Sequence, residues 1–481
     1  MEPGSRGAAE PGTIMSGFAV GVLRRLQLLR GVLAIWRSIA ADGELEEVFG
    51  DSRGRSYEKA LKFAELVRLF ADAISHHSGS GRQAMLRAKE EGRLSVSQQA
   101  AYGKLRRVPP EVSQKLVEHC TLRMREMVPE SMEPTLPASL RGYAGVTMDG
   151  KTLKELAKRL LATRQAKGGL LGGRVLAALD MRTNQIVCIQ ADQDGYANEA
   201  PLLEPLLPRV RELIPGPRLY VLDRQFGFIN YLRQLSAVEG DAYVVRCRQS
   251  SDFEPDAGAA QPSGTDGGGT FTDRRGHLRT ATDALAVRMI LLKRPGEEDV
   301  QLVTNLLDQD KYPAQDLLDV YLQRWEIERV FQQIVEVFGL ERLIGSTPQA
   351  AIFQFALCVL WYNVIQIVKH YLAIGGKVPV TRVSGEQVFT DIRRQMVALD
   401  ELTGLHGLTR DNQRALCPKK VRRHLMNTIP KLWTQRWLKS PPRKKTPASA
   451  KKKAKKRPRD HSSAARLIEK YESNPRKRSR P

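Results

Sequence analysis

The stretch Leu219-Tyr-Val-Leu-Asp223 is a strongly apolar run that an aspartate closes. Its length and apolar content predict a buried strand. A second apolar run, Tyr143 to Met148, is predicted as a strand and is followed by Asp149. Because sites in open sheets form at the carboxyl ends of strands, the two aspartates are expected to face each other across adjacent strands. This edge of the sheet is the predicted functional site.

The segments around these two runs predict a mixed sheet covered by helices. Further predicted strands are Arg174 to Leu179, Gln185 to Gln190 and Tyr243 to Arg246, and predicted helices are Glu199 to Leu213 and Phe228 to Leu235. The resulting order, β-β-β-α-β-α-β, is typical of an α/β fold with helices on the sheet.

A β-rich insertion is predicted to interrupt this fold between 248 and 310. Residues 248 to 283 break the helix–strand pattern, because they are low in apolar content and rich in turn formers. Two predicted strands, Ala284 to Leu292 and Gln301 to Asn305, then lead back to the core.

The remaining regions are predicted to be helical or disordered. Ser95 and Gln98 predict a capping box for a helix that ends at Val108, followed by a helix from Glu111 to Met127. Two helices around a turn suit a DNA-reading unit, and a small bundle without groove contacts is an equal alternative. The predicted division is 1–16 disordered, 17–140 helical and DNA-binding, 141–247 and 311–375 the two parts of the core, 248–310 the insertion, 376–440 helical, and 441–481 a disordered Lys/Arg-rich tail.

Charge and composition indicate a polyanionic partner. Lys and Arg number 76 against 53 acidic residues, a net charge of +23. Residues 441–481 hold 16 basic and 3 acidic residues, so 13 of these 23 charges lie in the tail, which we expect to bind phosphates without reading sequence.

The five cysteines form no CxxC pair, which favours a reduced, intracellular setting. Ala350 to Leu372 is long enough to raise the question of a membrane span, but its polar residues favour a buried core helix.

A third acidic residue lies in a predicted helix from Tyr321 to Phe331. A helical period of about 100° per residue places Tyr321, Arg324 and Glu328 on one apolar face, with Glu326 almost opposite. A carboxylate on a buried face costs roughly several kcal/mol unless a cation meets it. Arg324 is one such cation, and a metal ion is the other.

Each acidic residue alone has a simpler explanation, since Asp-Gly is usually a turn and Asp-Arg is usually a surface ion pair. Together, Asp149, Asp223 and Glu328 predict an oxygen-only site for two Mg²⁺ ions about 4 Å apart, the arrangement for in-line phosphoryl transfer.

The chain resembles a known family at three segments: Val146-Thr-Met-Asp149-Gly-Lys151, Tyr220-Val-Leu-Asp223-Arg224-Gln-Phe226, and Tyr321-x-x-Arg324-Trp325-x-x-Glu328. These segments are similar to the catalytic signatures of DDE transposases of the IS4 group, which includes the Tn5 transposase. The resemblance covers roughly 100 to 375 and includes Asn198-Glu199 ahead of the second aspartate. It implies an RNase H-like fold.

The resemblance also implies roles for individual residues. Asp149, Asp223 and Glu328 would be the metal-binding triad, with Mn²⁺ able to replace Mg²⁺. Tyr321 and Arg324 would contact the phosphates of the transposon end. Further DNA-binding candidates are Arg224, for which an ion pair that braces the site is an equal alternative, and Lys151 and Arg329.

Two departures from the family pattern bear on activity. The family's lysine falls on Val335, so its phosphate contact would be absent or supplied by Arg329, Lys311 or Arg342. The insertion contains no tryptophan, so a hairpin intermediate is not expected. The expected protein is a cut-and-paste transposase acting on double-stranded DNA as a homodimer, without a membrane, in the cytoplasm and nucleoid-associated. An inactive DNA-binding derivative and an RNase H-like nuclease are the alternatives.

Overall fold

A computed structural model describes residues 17–440 and 461–473, apart from 55, 57–59, 78, 131, 133–134, 259, 341–343 and 405–413. Arg342, the predicted disordered N-terminus at 1–16, and the tail at 441–460 and 474–481 therefore lie outside the described residues.

The helices before the sheet are α1 (Gly17–Arg25), α2 (Gln27–Ile39), α3 (Asp42–Ser52), α4 (Phe63–Ser75), α5 (Gly81–Glu90), α6 (Gln98–Leu105) and α7 (Pro110–Arg125). The later helices are α8 (Leu203–Leu213), α9 (Ile229–Leu235), α10 (Ala314–Gln323), α11 (Trp325–Glu336), α12 (Pro348–Gly376), α13 (Gly385–Thr403), α14 (Pro418–Thr428) and α15 (Ala464–Glu472). The strands are β1 (Ala144–Thr152), β2 (Gly169–Leu171), β3 (Arg174–Asp180), β4 (Gln185–Asp192), β5 (Arg218–Leu222), β6 (Ala242–Arg246), β7 (Phe253–Pro255), β8 (Ser263–Asp266), β9 (Gly269–Arg279), β10 (Ala284–Lys293), β11 (Val300–Thr304) and β12 (His461–Ser463).

A mixed sheet forms the centre of the protein, in the order β4-β3-β1-β5-β6-β11-β10-β9-β7, with β8 beside β9. Strands β1, β5 and β6 are parallel, and β3 and β4 are antiparallel additions on one side. The predicted mixed α/β architecture and its order from β1 to β6 are confirmed, except that the short strand β2 was not predicted. An RNase H-like core is consistent with this sheet and its flanking helices.

The predicted insertion continues the same sheet. Strand β11 pairs with β6, with Leu302 opposite Arg246, and β10 and β11 lie within one residue of their predicted bounds. Beyond the two predicted strands, three strands that were not predicted, β7, β8 and β9, lie within the turn-rich stretch 248–283. Strand β9 is polar in sequence, yet it pairs along its length with the apolar β10 and contributes a buried Asp273 to a pair with Arg288.

Helix α12 forms the centre of the largest hydrophobic core. By length and composition alone this helix is apolar enough to cross a membrane, but its whole apolar window is buried inside the protein. The predicted buried core helix is thereby confirmed. On one side α12 packs against α7, which in turn covers β4.

The helical regions before and after the sheet share this core. Residues of α2, α4 and α7 lie in one cluster with residues of α12, α13 and α14, and Trp36 packs on Trp361 with ring centroids 4.9 Å apart. The predicted capping box was two residues off: Ser97 caps α6 by accepting a hydrogen bond from the Ala100 N–H. The predicted regions 17–140 and 376–440 therefore join in a common core.

Part of the predicted disordered tail is ordered. Strand β12 pairs in parallel with β2, and α15 follows it directly. Charge dominates the composition of 441–481, but Ala464 is fully buried and Leu467 packs against the main core. Pairing with β2 and contact with the main core therefore hold this part of the basic segment in place.

Candidate active site

The register between β1 and β5 brings two aspartates side by side. Thr147 lies opposite Val221 in the parallel ladder, and Asp149 and Asp223 are each two residues further on. Asp223 is the first residue after β5, as predicted. Asp149 does not end its strand, because β1 continues to Thr152 through its pairing with β3. Both carboxylates nevertheless reach the same edge of the sheet.

Glu199 joins these two aspartates. One carboxylate oxygen from each of Asp149, Glu199 and Asp223 lies within 4.8 Å of the others. Glu199 is only 6% exposed and packs directly on Gly150, where an added Cβ would lie 1.6 Å from its Oε2. A glycine after Asp149 is thus what admits the third carboxylate.

The crowded carboxylates have strongly perturbed proton affinities. Burial, followed by the negative charges of Glu199 and Asp223, raises the pKa of Asp149 to about 7. Burial and Asp223 also raise the pKa of Glu199, and Arg174, whose Nη1 lies 3.8 Å from Glu199 Oε2, only partly opposes this. Three hard oxygen donors that repel one another fit a divalent cation such as Mg²⁺.

Glu328 lies outside this carboxylate cluster. The predicted single helix is divided at Arg324 into α10 and α11. The prediction of a buried Glu328 was wrong, because its side chain is 38% exposed. It forms an ion pair with Arg324, whose Nη2 lies 2.8 Å from Glu328 Oε1. The buried face of α11 instead consists of Ile327, Val330, Phe331 and Ile334.

Arg324 connects Glu328 to the cluster. It is 6% exposed, and its charge acts on both Glu328 and Asp149. Its guanidinium lies 5.8 Å from the Tyr321 ring centroid and 4.8 Å from that of Trp325. Among the described residues, its Nε has no hydrogen-bond partner. A buried guanidinium with a free donor is suited to bind a further anion.

The other predicted DNA-binding side chains are Arg224, Arg329 and Lys151. Arg224 is 57% exposed and lies 3.7 Å from Glu298. Arg329 is exposed and pairs with Glu326. Lys151 Nζ lies 5.9 Å from the Phe331 ring centroid, and burial, then the charge of Lys154, lowers its pKa.

Arg224 and Arg248 line two cavities of about 320 and 430 Å³; the first also contains Asn198 and Ala200, the neighbours of Glu199, and the second also contains Glu298 and Asp299. The guanidinium of Arg248 lies 4.6 Å from the ring centroid of Phe228, which is 43% exposed. We name these two adjoining cavities the Arg248 groove. Its arginines and its exposed aromatic ring suit a nucleic-acid backbone. Val335, at the position of the family's lysine, packs on the main core.

Glu199 is the residue whose role the sequence analysis missed. The pair Asn198-Glu199 was noted, but no chemical role was given to it. Its signal was weak, because Glu199 precedes a helix rather than closing an apolar strand. Its position beside Asp149 depends on the loop after β4.

Comparison with known protein families gives a match over part of the chain. No curated protein shows significant similarity to the chain. Residues 142–364 match the family model of the Transposase DDE domain, and this segment contains Asp149, Glu199, Asp223, Arg324 and Glu328. That domain implies DNA as a substrate and the use of a divalent metal. The match, which covers the whole carboxylate site, supports a DDE transposase.

Proposed function

We propose that the protein is an IS4-type DNA transposase that cuts at transposon ends and joins the freed 3′-hydroxyls to target DNA. The convergence of Asp149, Glu199 and Asp223 within 4.8 Å carries this proposal. Such crowding of buried acids is unfavourable in an isolated protein and favourable when a divalent cation binds.

Asp149, Asp223 and Glu199 are the residues that would hold Mg²⁺, and the family resemblance adds Glu328. When bound, divalent ions activate water and polarise the phosphodiester for in-line displacement. The protein's own contribution is to hold the carboxylates on a rigid sheet edge and to position the DNA.

Arg324 would exchange partners when DNA binds. Its guanidinium holds Glu328 at 2.8 Å and keeps a free Nε. A phosphate offers two oxygens to the planar guanidinium and competes with the carboxylate. Glu328, half-exposed and released from this pair, can then turn towards Asp149. Tyr321 supports the arginine through its ring.

Arg224, Lys151, Arg329 and the Arg248 groove would bind the flanking phosphates. The net charge of +23 supports this contact with DNA, because each neutralised phosphate releases counterions. A homodimer would hold the two transposon ends together.

Cleavage of a labelled duplex tests the proposal. The substrate is a duplex that carries the DNA flanking the reading frame, where a transposase would have its terminal repeats, and the reaction contains Mg²⁺. Asp149→Ala, Asp223→Ala and Glu328→Ala are each expected to abolish cleavage and to retain the shifted band of bound DNA. Glu326→Ala is the matched control, because Glu326 lies on the same helix and its side chain is also 38% exposed.

The products separate the alternatives. Cutting without joining indicates an RNase H-like nuclease. A shifted band without any product indicates a DNA-binding derivative, which Val335 in place of the family's lysine favours. A fully active Glu328→Ala protein would refute the role of Glu328.

A further inference from the structure

The loop from 193 to 198 carries Glu199 to the other carboxylates. Asp194 organises it: its N–H donates to Asp192 Oδ1 at 2.8 Å, and its own Oδ1 accepts from the Tyr196 N–H at 3.0 Å. Gly195 lies so close to β2 that an added Cβ would be 2.2 Å from Leu171 Cβ. The loop is therefore pressed against β2.

Residues 461–472, which we name the C-terminal strap, cover the other edge of β2. Strand β12 pairs with β2, with His461 opposite Gly169, and β2 has no other strand partner among the described residues. Ser463 is 2% exposed and Ala464 is fully buried. The strap is thus anchored by backbone pairing and by its buried start.

The strap also grips the loop by side chains. Arg466 donates through Nε and Nη2 to Asp194 Oδ2, both at 2.7 Å, and its guanidinium lies 5.2 Å from the Tyr196 ring centroid. The Tyr196 hydroxyl donates to the His461 carbonyl. Although burial acts in the opposite direction, the nearby Ser463 side chain and the hydrogen bonds from the Tyr196 N–H and Arg466 lower the pKa of Asp194.

We propose that the C-terminal strap is a positioning element for the catalytic site: by clamping the 193–198 loop, it holds Glu199 beside Asp149 and Asp223. The role of Glu199 in this inference rests on the proposed function. Arg466 and Asp194 are 272 residues apart in the sequence. The loop is therefore held by contacts with a distant segment and not by its own residues alone. Without the strap, Asp194 loses its contact with Arg466 and Tyr196 loses its contact with His461, so the loop becomes more mobile.

Arg466→Ala in the full-length protein tests the clamp. Lys470→Ala is the matched control, because it removes one positive charge from the exposed face of the same helix. Hydrogen exchange of residues 193–198 is expected to accelerate in Arg466→Ala only. The Mg²⁺ concentration that half-saturates cleavage is expected to rise roughly fivefold or more in this variant, and saturating Mg²⁺ should restore the rate.

Two further measurements keep the outcomes apart. Mn²⁺ binding, followed by electron paramagnetic resonance, reports on the carboxylates even if the wild-type protein does not cleave DNA. Absence of cleavage would count against the proposed transposase function and not against the clamp. If Arg466→Ala fails to fold, Tyr196→Phe replaces it as the test, because it removes only the hydroxyl contact with His461. Tyr196→Phe should also weaken Mn²⁺ binding, but by a smaller factor. Unchanged exchange of 193–198 and unchanged Mn²⁺ affinity in folded Arg466→Ala would overturn the proposed clamp.

Discussion

At the scale of single residues, the site stores an electrostatic cost in Asp149. Its pKa of about 7 in the folded protein contrasts with about 4 for an unfolded aspartate. Between these values the folded state binds more protons, so this residue's contribution to stability falls as pH rises from about 4 to 7. Above pH 7 the full penalty is present in metal-free protein.

Asp149→Asn is therefore expected to stabilise the metal-free protein at pH 8. The gain in the free energy of unfolding should be roughly 1–3 kcal/mol at pH 8 and should shrink towards pH 4. Urea unfolding in the presence of a chelator measures it. Asp310→Asn, at an exposed position, is the control and should change little. A gain that grows as pH falls would contradict the assigned cause.

Gly150 makes a second prediction at this scale. Gly150→Ala places a methyl group where the Glu199 carboxylate lies, so Glu199 must swing away. Metal affinity should fall roughly tenfold or more, while the free energy of unfolding changes by no more than about 2 kcal/mol. Calorimetric titration with Mg²⁺ measures the affinity. Gly142→Ala, whose added Cβ meets nothing within 4 Å, should bind as the wild type does.

At the scale of secondary-structure elements, a buried ion pair joins β9 to β10. Arg288 and Asp273 are 0% and 1% exposed, and Arg288 Nε donates to Asp273 Oδ1 at 2.7 Å. Arg288 Nη1 also donates to the Tyr312 carbonyl at 2.6 Å, which ties these strands to the start of α10. The strands added beyond β11 are thereby fixed to the core that carries Arg324.

Asp273→Asn should be strongly destabilising. It leaves a buried guanidinium without its counter-ion, at a cost of roughly 3–5 kcal/mol. The comparison is Glu254→Gln, which breaks the exposed pair with Arg279 and should cost under about 1 kcal/mol. Urea unfolding of the two variants measures both values. Equal losses would show that the buried pair has no special weight.

At the scale of the whole molecule, α12 joins the helical regions to the sheet. Asn363 of α12 donates through Nδ2 to the Ile186 carbonyl at 2.8 Å and to Thr121 Oγ1 at 2.9 Å, and it accepts from the Ile186 N–H at 3.0 Å. Strand β4, which contains Ile186, is an edge of the sheet. The side-chain amide of Asn363 thus forms hydrogen bonds with backbone groups of the edge strand β4 and links this strand to α7.

Asn363→Ala is expected to loosen both layers at once. It leaves the buried Ile186 N–H without a partner, at a cost of roughly 1–3 kcal/mol, while the Ile186 carbonyl keeps the bond from Thr121 Oγ1 at 3.3 Å. Hydrogen exchange should accelerate in α7 and in β4 by the same factor, because they share one core. Gln387→Ala, at an exposed amide of α13, is the control. Acceleration confined to β4 would show that the helical region is an independent unit.

Local patterns were enough to predict the elements that carry Asp149 and Asp223. An apolar run closed by an aspartate has a strand's length and composition wherever it lies, and the parallel pairing of two such runs sets both acids at one edge. The long apolar helix α12 was predictable for the same reason. These features are encoded by neighbours in the chain.

Only the tertiary structure decided which acids meet. Glu199 reaches the cluster because Gly150 leaves room for it, and Glu328 pairs with Arg324 one helical turn before it instead of joining the other acids. The polar strand β9 and the strap at 461–472 have no strong local signal, and partners distant in the sequence stabilise them. Long-range packing supplies the free energy in each case, and a single sequence does not display which distant surfaces will fit.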